Sequence, residues 1–145
     1  MPNAGEIWLD TCYYPDADGT WRSKYILILG FTKASDLVHR VLTSRGNGRS
    51  RNPACHHGDP YPAYFLGVIG GPLHKDSWLD LRSANDYDSL NFKKATSNGS
   101  IKFIETLPKP VFCAALACAM AADDTTAFQR QAMDRQRQAL SCPAA

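Results

Sequence analysis

Basic residues and hydroxyls are concentrated in residues 22–51, a stretch that holds seven Lys or Arg and a single acid. The formal net charge of the whole chain is only +2, so this surplus is local. The stretch ends in a polar segment, residues 43–51, in which cations and hydroxyls are interspersed with glycines. This composition suits binding to a polyanion, although the same residues would also serve a solvated loop.

Metal-free cleavage of RNA is one reaction that these residue types could perform. It needs a base for the 2′-hydroxyl proton, an acid for the leaving 5′-oxygen, and fixed cations for the charge that builds on the phosphate. Arg22 and Lys24 are candidates for the cationic role. Thr43 or Ser44 could hold a non-bridging phosphate oxygen, and local hydrogen bonding at a strand end is their alternative role. Arg45 could clamp the same phosphate with two hydrogen bonds.

Two loops are predicted, at residues 11–21 and 44–62, and further residues in them are candidates for substrate binding. Arg49 and Arg51 are expected to contact backbone phosphates, and Trp21 could stack on an exposed base. His56 and His57 could exchange protons near neutral pH, or they could simply be exposed loop residues. Because adjacent residues of an extended chain point in opposite directions, at most one of the two histidines is expected to act.

The cysteines give no clear sign of a metal site. Two of them, Cys113 and Cys118, lie in the apolar run 111–122, where thiols behave as small hydrophobic groups, so we expect them to be reduced. Residues 55–57 (Cys-His-His) look like part of a zinc site, but a second pair of Cys or His at the usual spacing is missing. The sequence therefore predicts no metal and no cofactor. The five cysteines are Cys12, Cys55, Cys113, Cys118 and Cys142.

The spacing of apolar residues predicts several short strands followed by two helices. The second helix is expected to carry Phe128, Ala132 and Leu140 on one apolar stripe. This order predicts an α+β fold, a small antiparallel β-barrel with C-terminal helices, in a single domain. The domain spans residues 1–145, with the barrel at about 5–106 and the helical part at about 110–140. The predicted strands are residues 5–10, 25–31, 36–43, 63–69, 77–81 and 100–106, and the predicted helices are residues 111–122 and 126–140.

The chain has no run of apolar residues long enough to cross a membrane, which takes about 18 or more. Its first residues, 1–6, have neither a cationic start nor a hydrophobic segment of the kind found in export signals. We therefore expect a soluble, cytoplasmic protein that does not bind membranes.

The order of these pieces resembles a known family. Residues 5–10 (GEIWLD), a polar loop, a basic residue leading into an aliphatic strand (residues 24–29, KYILIL), a strand ending in Thr43 and Ser44, and a late apolar helix are similar to the PemK/MazF toxins. The resemblance implies an SH3-like barrel that forms a homodimer, cleaves single-stranded RNA without metal as an mRNA interferase, and binds a cognate antitoxin protein.

The chain departs from the family at one important position. The residue that opens the second strand is usually Arg followed by Pro, whereas Lys24 and Tyr25 stand here. Arg22 is two residues earlier, so either cation could take the catalytic role. The departure also leaves open a non-catalytic barrel that binds nucleic acid or an acidic protein. A third alternative is an interaction module whose C-terminal helices pack on a partner.

Overall fold

The computed structural model of the protein describes residues 2–143 and shows an α+β fold. Seven strands form one antiparallel sheet in the order β4-β5-β6-β3-β2-β1-β7. Within the described residues, no pairing joins the two end strands, β4 and β7. None of the described helices is long and apolar enough to cross a membrane. The elements are β1 Glu6–Pro15, β2 Trp21–Phe31, β3 Leu37–Thr43, β4 Cys55–His56, β5 Ala63–Gly67, β6 Ser77–Asp80, α1 Ser89–Ser97, β7 Ile101–Thr106, α2 Lys109–Met120 and α3 Ala127–Ala139.

The uninterrupted apolar sequence of β2 reflects burial on both faces of the sheet. Leu27 and Leu29 pack in the larger core cluster, together with residues of α2 and α3. Ile26 and Ile28 point to the opposite face and pack in a second cluster that includes Phe92 of α1. A strand covered on both faces needs apolar residues at consecutive positions rather than at alternate ones. The prediction of a buried central strand is therefore confirmed.

The two C-terminal helices cover one face of the sheet. Pro110 lies in the first turn of α2, where its missing N–H costs nothing. The α3 helix begins with a capping box, in which Thr126 and Gln129 satisfy each other's backbone N–H groups. At Gly30, a Cβ would lie 2.9 Å from the carbonyl oxygen of Ala132, so glycine allows α3 to approach β2 closely.

Several elements differ from the sequence predictions. The predicted loop 11–21 is mostly strand, because β1 and β2 continue as a hairpin beyond a bulge between Asp10 and Tyr14. A helix, α1, precedes the last strand, although no helix was expected there. Phe128 was predicted on the buried stripe of α3, but it is 76% exposed. The buried positions of that helix are instead Gln129, Ala132 and Met133.

The expectation that Cys113 and Cys118 are reduced is wrong for this structure. Two disulfide bonds join Cys55 to Cys118 and Cys113 to Cys142. Five helical positions separate the two cysteines of α2, a rotation of about 140° at 3.6 residues per turn. Each thiol therefore faces a different neighbour, β4 in one case and the segment after α3 in the other. Cys12 is the free cysteine and it is exposed.

Candidate functional site

Three strand ends lie side by side because β2, β3 and β6 are antiparallel neighbours within the sheet. Ile26 of β2 pairs with Val41 of β3. Extending this register by two residues places Lys24 opposite Thr43. Thr43 also pairs with Trp78 of β6. The start of β2, the end of β3 and the start of β6 thus deliver their polar side chains to one place.

A cleft of about 310 Å³ opens at these strand ends. We call it the Lys24 cleft. Four residues that the sequence analysis selected line it, and two further basic residues join them from the segment before β6. Among residues 2–143, no Asp or Glu lines the Lys24 cleft. The polar lining is formed by Lys24, Thr43, Ser44, Arg45, His74 and Lys75, with Ser23 and Ser77 beside them.

Lys24 is half-buried, and its environment disfavours the charged ammonium. Burial lowers the pKa of Lys24, and the positive charge of the Arg45 guanidinium lowers it further. The carboxylate of Asp80 acts in the opposite direction but does not outweigh these effects. A cation in this setting has lost part of its hydration, so an anion that enters the cleft would interact with it more strongly than in water.

Thr43 ends β3 and Ser44 follows it, and both residues line the cleft. The hydroxyl oxygen of Thr43 accepts a hydrogen bond from the backbone N–H of Arg45 at 3.2 Å. This is the local bonding that the sequence analysis gave as the alternative role. It uses only the acceptor side of the hydroxyl, so the Thr43 O–H remains able to donate to a phosphate oxygen.

His74 and Lys75 line the cleft although the sequence gave little reason to select them. They follow a tight turn in which Gly70 and Leu73 exchange both backbone hydrogen bonds. Gly71 adopts a φ of +55°, a conformation that glycine tolerates without strain. The turn brings the segment back toward the end of β3. No local motif marks His74, because its relation to Lys24 depends on how distant strands pair.

Arg22 and Trp21 lie at the start of β2, outside the lining of the cleft. Arg22 donates to Asp16 through Nε at 2.8 Å and through a second nitrogen at 2.6 Å. This ion pair lies at the turn of the hairpin formed by β1 and β2, and the Arg22 side chain is 58% exposed. Trp21 is 57% exposed, so its ring is available for stacking. Tyr14 is closer to the cleft, with its ring centroid 5.9 Å from Lys24 Nζ.

Arg49 and Arg51 are held by the protein itself. The Arg49 guanidinium lies over the Tyr61 ring at 4.5 Å and donates to the Arg45 carbonyl at 2.6 Å. Arg51 pairs with Asp76 at 3.2 Å and lies 5.0 Å from the Trp78 ring centroid. These contacts order a segment that the sequence suggested was a flexible, solvated loop.

His56 and His57 are outside the Lys24 cleft and point to different neighbours. His56 belongs to β4. Its ring packs against Gly58, where an added Cβ would lie only 3.0 Å from the ring. His57 Nε2 is 3.2 Å from Cys55 Sγ and 4.0 Å from Cys118 Sγ. Cys55 and His57 are close in sequence, whereas Cys118 could not be related to them from the sequence, because helix α2 brings it from 61 residues away.

The chain matches no protein-family model, no curated protein and no solved structure. The chemistry of the Lys24 cleft is therefore the basis for assigning a function.

Proposed function

We propose that the protein is a metal-independent endoribonuclease that cleaves single-stranded RNA at the Lys24 cleft. The observation that carries the proposal is the grouping of Lys24, Thr43, Ser44, Arg45 and His74 in one cleft whose described lining contains no carboxylate. A cleft of this kind favours a phosphodiester, because the cations and hydroxyl donors of its lining interact favourably with an anion.

Lys24 and Arg45 supply the cations in this proposal. Their positive charges stabilise the extra negative charge of the pentacoordinate phosphate, and partial burial strengthens that effect. Thr43 or Ser44 donates its hydroxyl hydrogen to a non-bridging oxygen. Arg22 is the less favourable candidate because Asp16 already neutralises it and it does not line the cleft.

His74 is the residue that we assign to proton transfer. An imidazole can take the proton of the 2′-hydroxyl or give one to the leaving 5′-oxygen near neutral pH. Lys24 supplies the second proton-transfer group, since its lowered pKa makes release of a proton easier than for an exposed lysine. The two groups belong to different parts of the lining, Lys24 to β2 and His74 to the segment before β6.

The SH3-like barrel, the homodimer and the cognate antitoxin are further parts of the proposal. They are supported by the resemblance of residues 5–10 and 24–29 to the PemK/MazF toxins. The antiparallel sheet and the C-terminal helices are compatible with them. Burial of α2 speaks against the alternative in which that helix is exposed for a partner, because six of its residues are buried within the chain.

The test is incubation of the full chain with a single-stranded RNA in the presence of EDTA. We expect products with 2′,3′-cyclic phosphate and 5′-hydroxyl ends, and no cleavage at a site whose 2′-hydroxyl is methylated. A Lys24→Ala/Thr43→Ala double variant, purified in the same way, controls for contaminating nucleases. Cleavage that requires a divalent ion, or 5′-phosphate ends, would contradict the proposal. RNA binding without cleavage would favour the non-catalytic binding alternative.

A further inference from the structure

Cys55, His57 and Cys118 form a cluster at the opposite end of the strand order from β7. Their ligand atoms, the two Sγ atoms and a ring nitrogen, lie within 4.8 Å of one another. Cys55 belongs to the short end strand β4, His57 follows it directly, and Cys118 comes from α2. None of the three residues lines the Lys24 cleft.

The donor set of this cluster is that of a zinc site. Thiolates and imidazole are the ligands that Zn²⁺ prefers, with bonds of about 2.3 Å to sulfur and about 2.0–2.1 Å to nitrogen, so neighbouring ligand atoms lie about 3.5 Å apart. Three ligand atoms within 4.8 Å can reach that arrangement by small side-chain movements. His57 also lines a small cleft, which leaves the fourth position open to water.

The second disulfide provides an internal contrast. Cys113 and Cys142 are each 8% exposed. Among the residues that the structure describes, no comparable group of His, Asp or Glu surrounds that pair. The cluster at Cys55 has an exposed imidazole beside it, and Cys55 itself is half-buried rather than enclosed. A purely structural disulfide needs no such histidine.

We propose that Cys55, His57 and Cys118 bind Zn²⁺ when the Cys55–Cys118 disulfide is reduced. A protein dithiol supplies two electrons and two protons, which break the S–S bond and leave two thiols, while the dithiol becomes a disulfide. Zn²⁺ then displaces both thiol protons and is held by two thiolates and the His57 imidazole. The link between β4 and α2 is therefore covalent in the oxidised chain and metal-mediated in the reduced chain.

The experiment uses the full chain with Cys12→Ser, so that the exposed free thiol does not bind metal. One sample is left oxidised, and another is reduced with a phosphine, which consumes water and becomes the phosphine oxide. Both are titrated with Co²⁺ as a spectroscopic probe and then with Zn²⁺ against a chromophoric chelator. We expect thiolate charge-transfer bands and the visible bands of tetrahedral cobalt only in the reduced sample, and their loss when Zn²⁺ is added.

Two variants identify the ligands. Cys113→Ser/Cys142→Ser should keep the cobalt spectrum, because it leaves the cluster intact. His57→Ala should weaken Zn²⁺ binding by at least about 10–100-fold, the loss typical of even an outer-shell partner. A reduced chain without the cobalt bands overturns the proposal, and this result does not depend on any variant folding. A spectrum lost in the Cys113→Ser/Cys142→Ser variant but kept in His57→Ala would overturn it as well.

Discussion

Lys24 and Arg45 of the Lys24 cleft come from the same stretch of sequence as Arg22 and Arg51, but the two pairs of residues have different surroundings. Lys24 and Arg45 line a cleft, and within residues 2–143 neither forms an ion pair with a carboxylate. Arg22 and Arg51, by contrast, are paired with Asp16 and Asp76. The sequence shows one basic region, whereas the structure separates available charges from charges that the protein already neutralises.

Two more residues of the basic stretch have other surroundings, since Arg40 is buried and Arg49 packs on an aromatic ring. Arg40 is fully buried and donates to Gln129 of α3 at 2.9 Å. Burial lowers the pKa of Arg40, so the charged guanidinium is less stable at that position than in water. Arg49 lies over the ring of Tyr61. Local charge density in a sequence is therefore a poor guide to the electrostatic field that a ligand meets, because pairing and burial decide which cations contribute.

The largest effect is expected from His74, the histidine of the Lys24 cleft. His74→Ala should lower the rate of RNA cleavage by about 10²–10⁴-fold, the usual contribution of a group that transfers a proton in the transition state. His56→Ala, in the outer strand β4, is the matched control and should keep the wild-type rate. The measurement is single-turnover cleavage of a labelled RNA across pH. Equal losses in both variants would remove the distinction between the two regions.

Lys24 and Arg22 can be compared in the same assay. Lys24→Ala should lower cleavage by about 10²–10³-fold while RNA affinity changes only a few-fold, because the contact acts mainly in the transition state. The same reasoning applies to Thr43→Ala or Ser44→Ala, whichever hydroxyl holds the phosphate. Arg22→Ala should remain close to wild type. If Arg22→Ala were inactive and Lys24→Ala fully active, the catalytic cation would be at the hairpin and our assignment would be wrong.

A third prediction concerns the ordering of the loop that holds Arg51. Trp78 is 1% exposed and donates its indole N–H to the Ser50 carbonyl at 2.9 Å. Trp78→Phe should therefore destabilise the fold by about 1–3 kcal/mol, because the half-buried Ser50 carbonyl loses its partner and the smaller ring underfills a buried site. Trp21→Phe, at a position that is 57% exposed, should change the free energy of unfolding by less than about 0.5 kcal/mol. Denaturant unfolding of both variants measures the difference, and equal stabilities would show that Trp78 does not anchor the loop.

The smallest effect is expected in the salt dependence of RNA binding. Arg45→Ala should reduce the slope of log affinity against log salt by about 0.7, the value for one contact to a single-strand phosphate. Arg51→Ala should change it less, because Asp76 already neutralises Arg51. Arg49→Ala should also change it less, because the Tyr61 ring and the Arg45 carbonyl hold the Arg49 guanidinium. That Arg49 and Arg51 contact RNA at all stays a prediction. Titrations at several salt concentrations test it, and a larger change for Arg51 than for Arg45 would reverse the ranking of available charges.

Local sequence was sufficient for elements that local physics determines. The run 25–31 predicted a buried strand because both faces of β2 need apolar residues, and Pro110 marked the first turn of α2. Lys24 and Thr43 were selected on type alone, and the register of β2 and β3 places them together. His74 could not be selected in this way, since only the pairing of β3 with β6 relates it to Lys24.

The cysteine pairs illustrate the same limit. Cys118 reads as a small apolar residue in an alanine-rich helix, and nothing nearby in sequence indicates that it meets Cys55. The helix α1 was missed because its residues, such as Asp88 at the N-cap, are polar and only Phe92 is buried. The cytoplasmic location also stays a prediction. Disulfides are rare in that compartment, where thiol reductants would favour the metal-binding form of the Cys55 cluster.

The two disulfides overlap along the chain, since Cys113 lies inside the loop closed by Cys55 and Cys118, and Cys142 lies outside it. A protease that cuts once anywhere between residues 55 and 142 therefore releases no fragment while both bonds are intact. The nicked chain would migrate as a single species without reductant and as two with it. Limited proteolysis would in this way report which disulfides are present. Because the two disulfides overlap, a single cut in more than half of the chain releases no fragment.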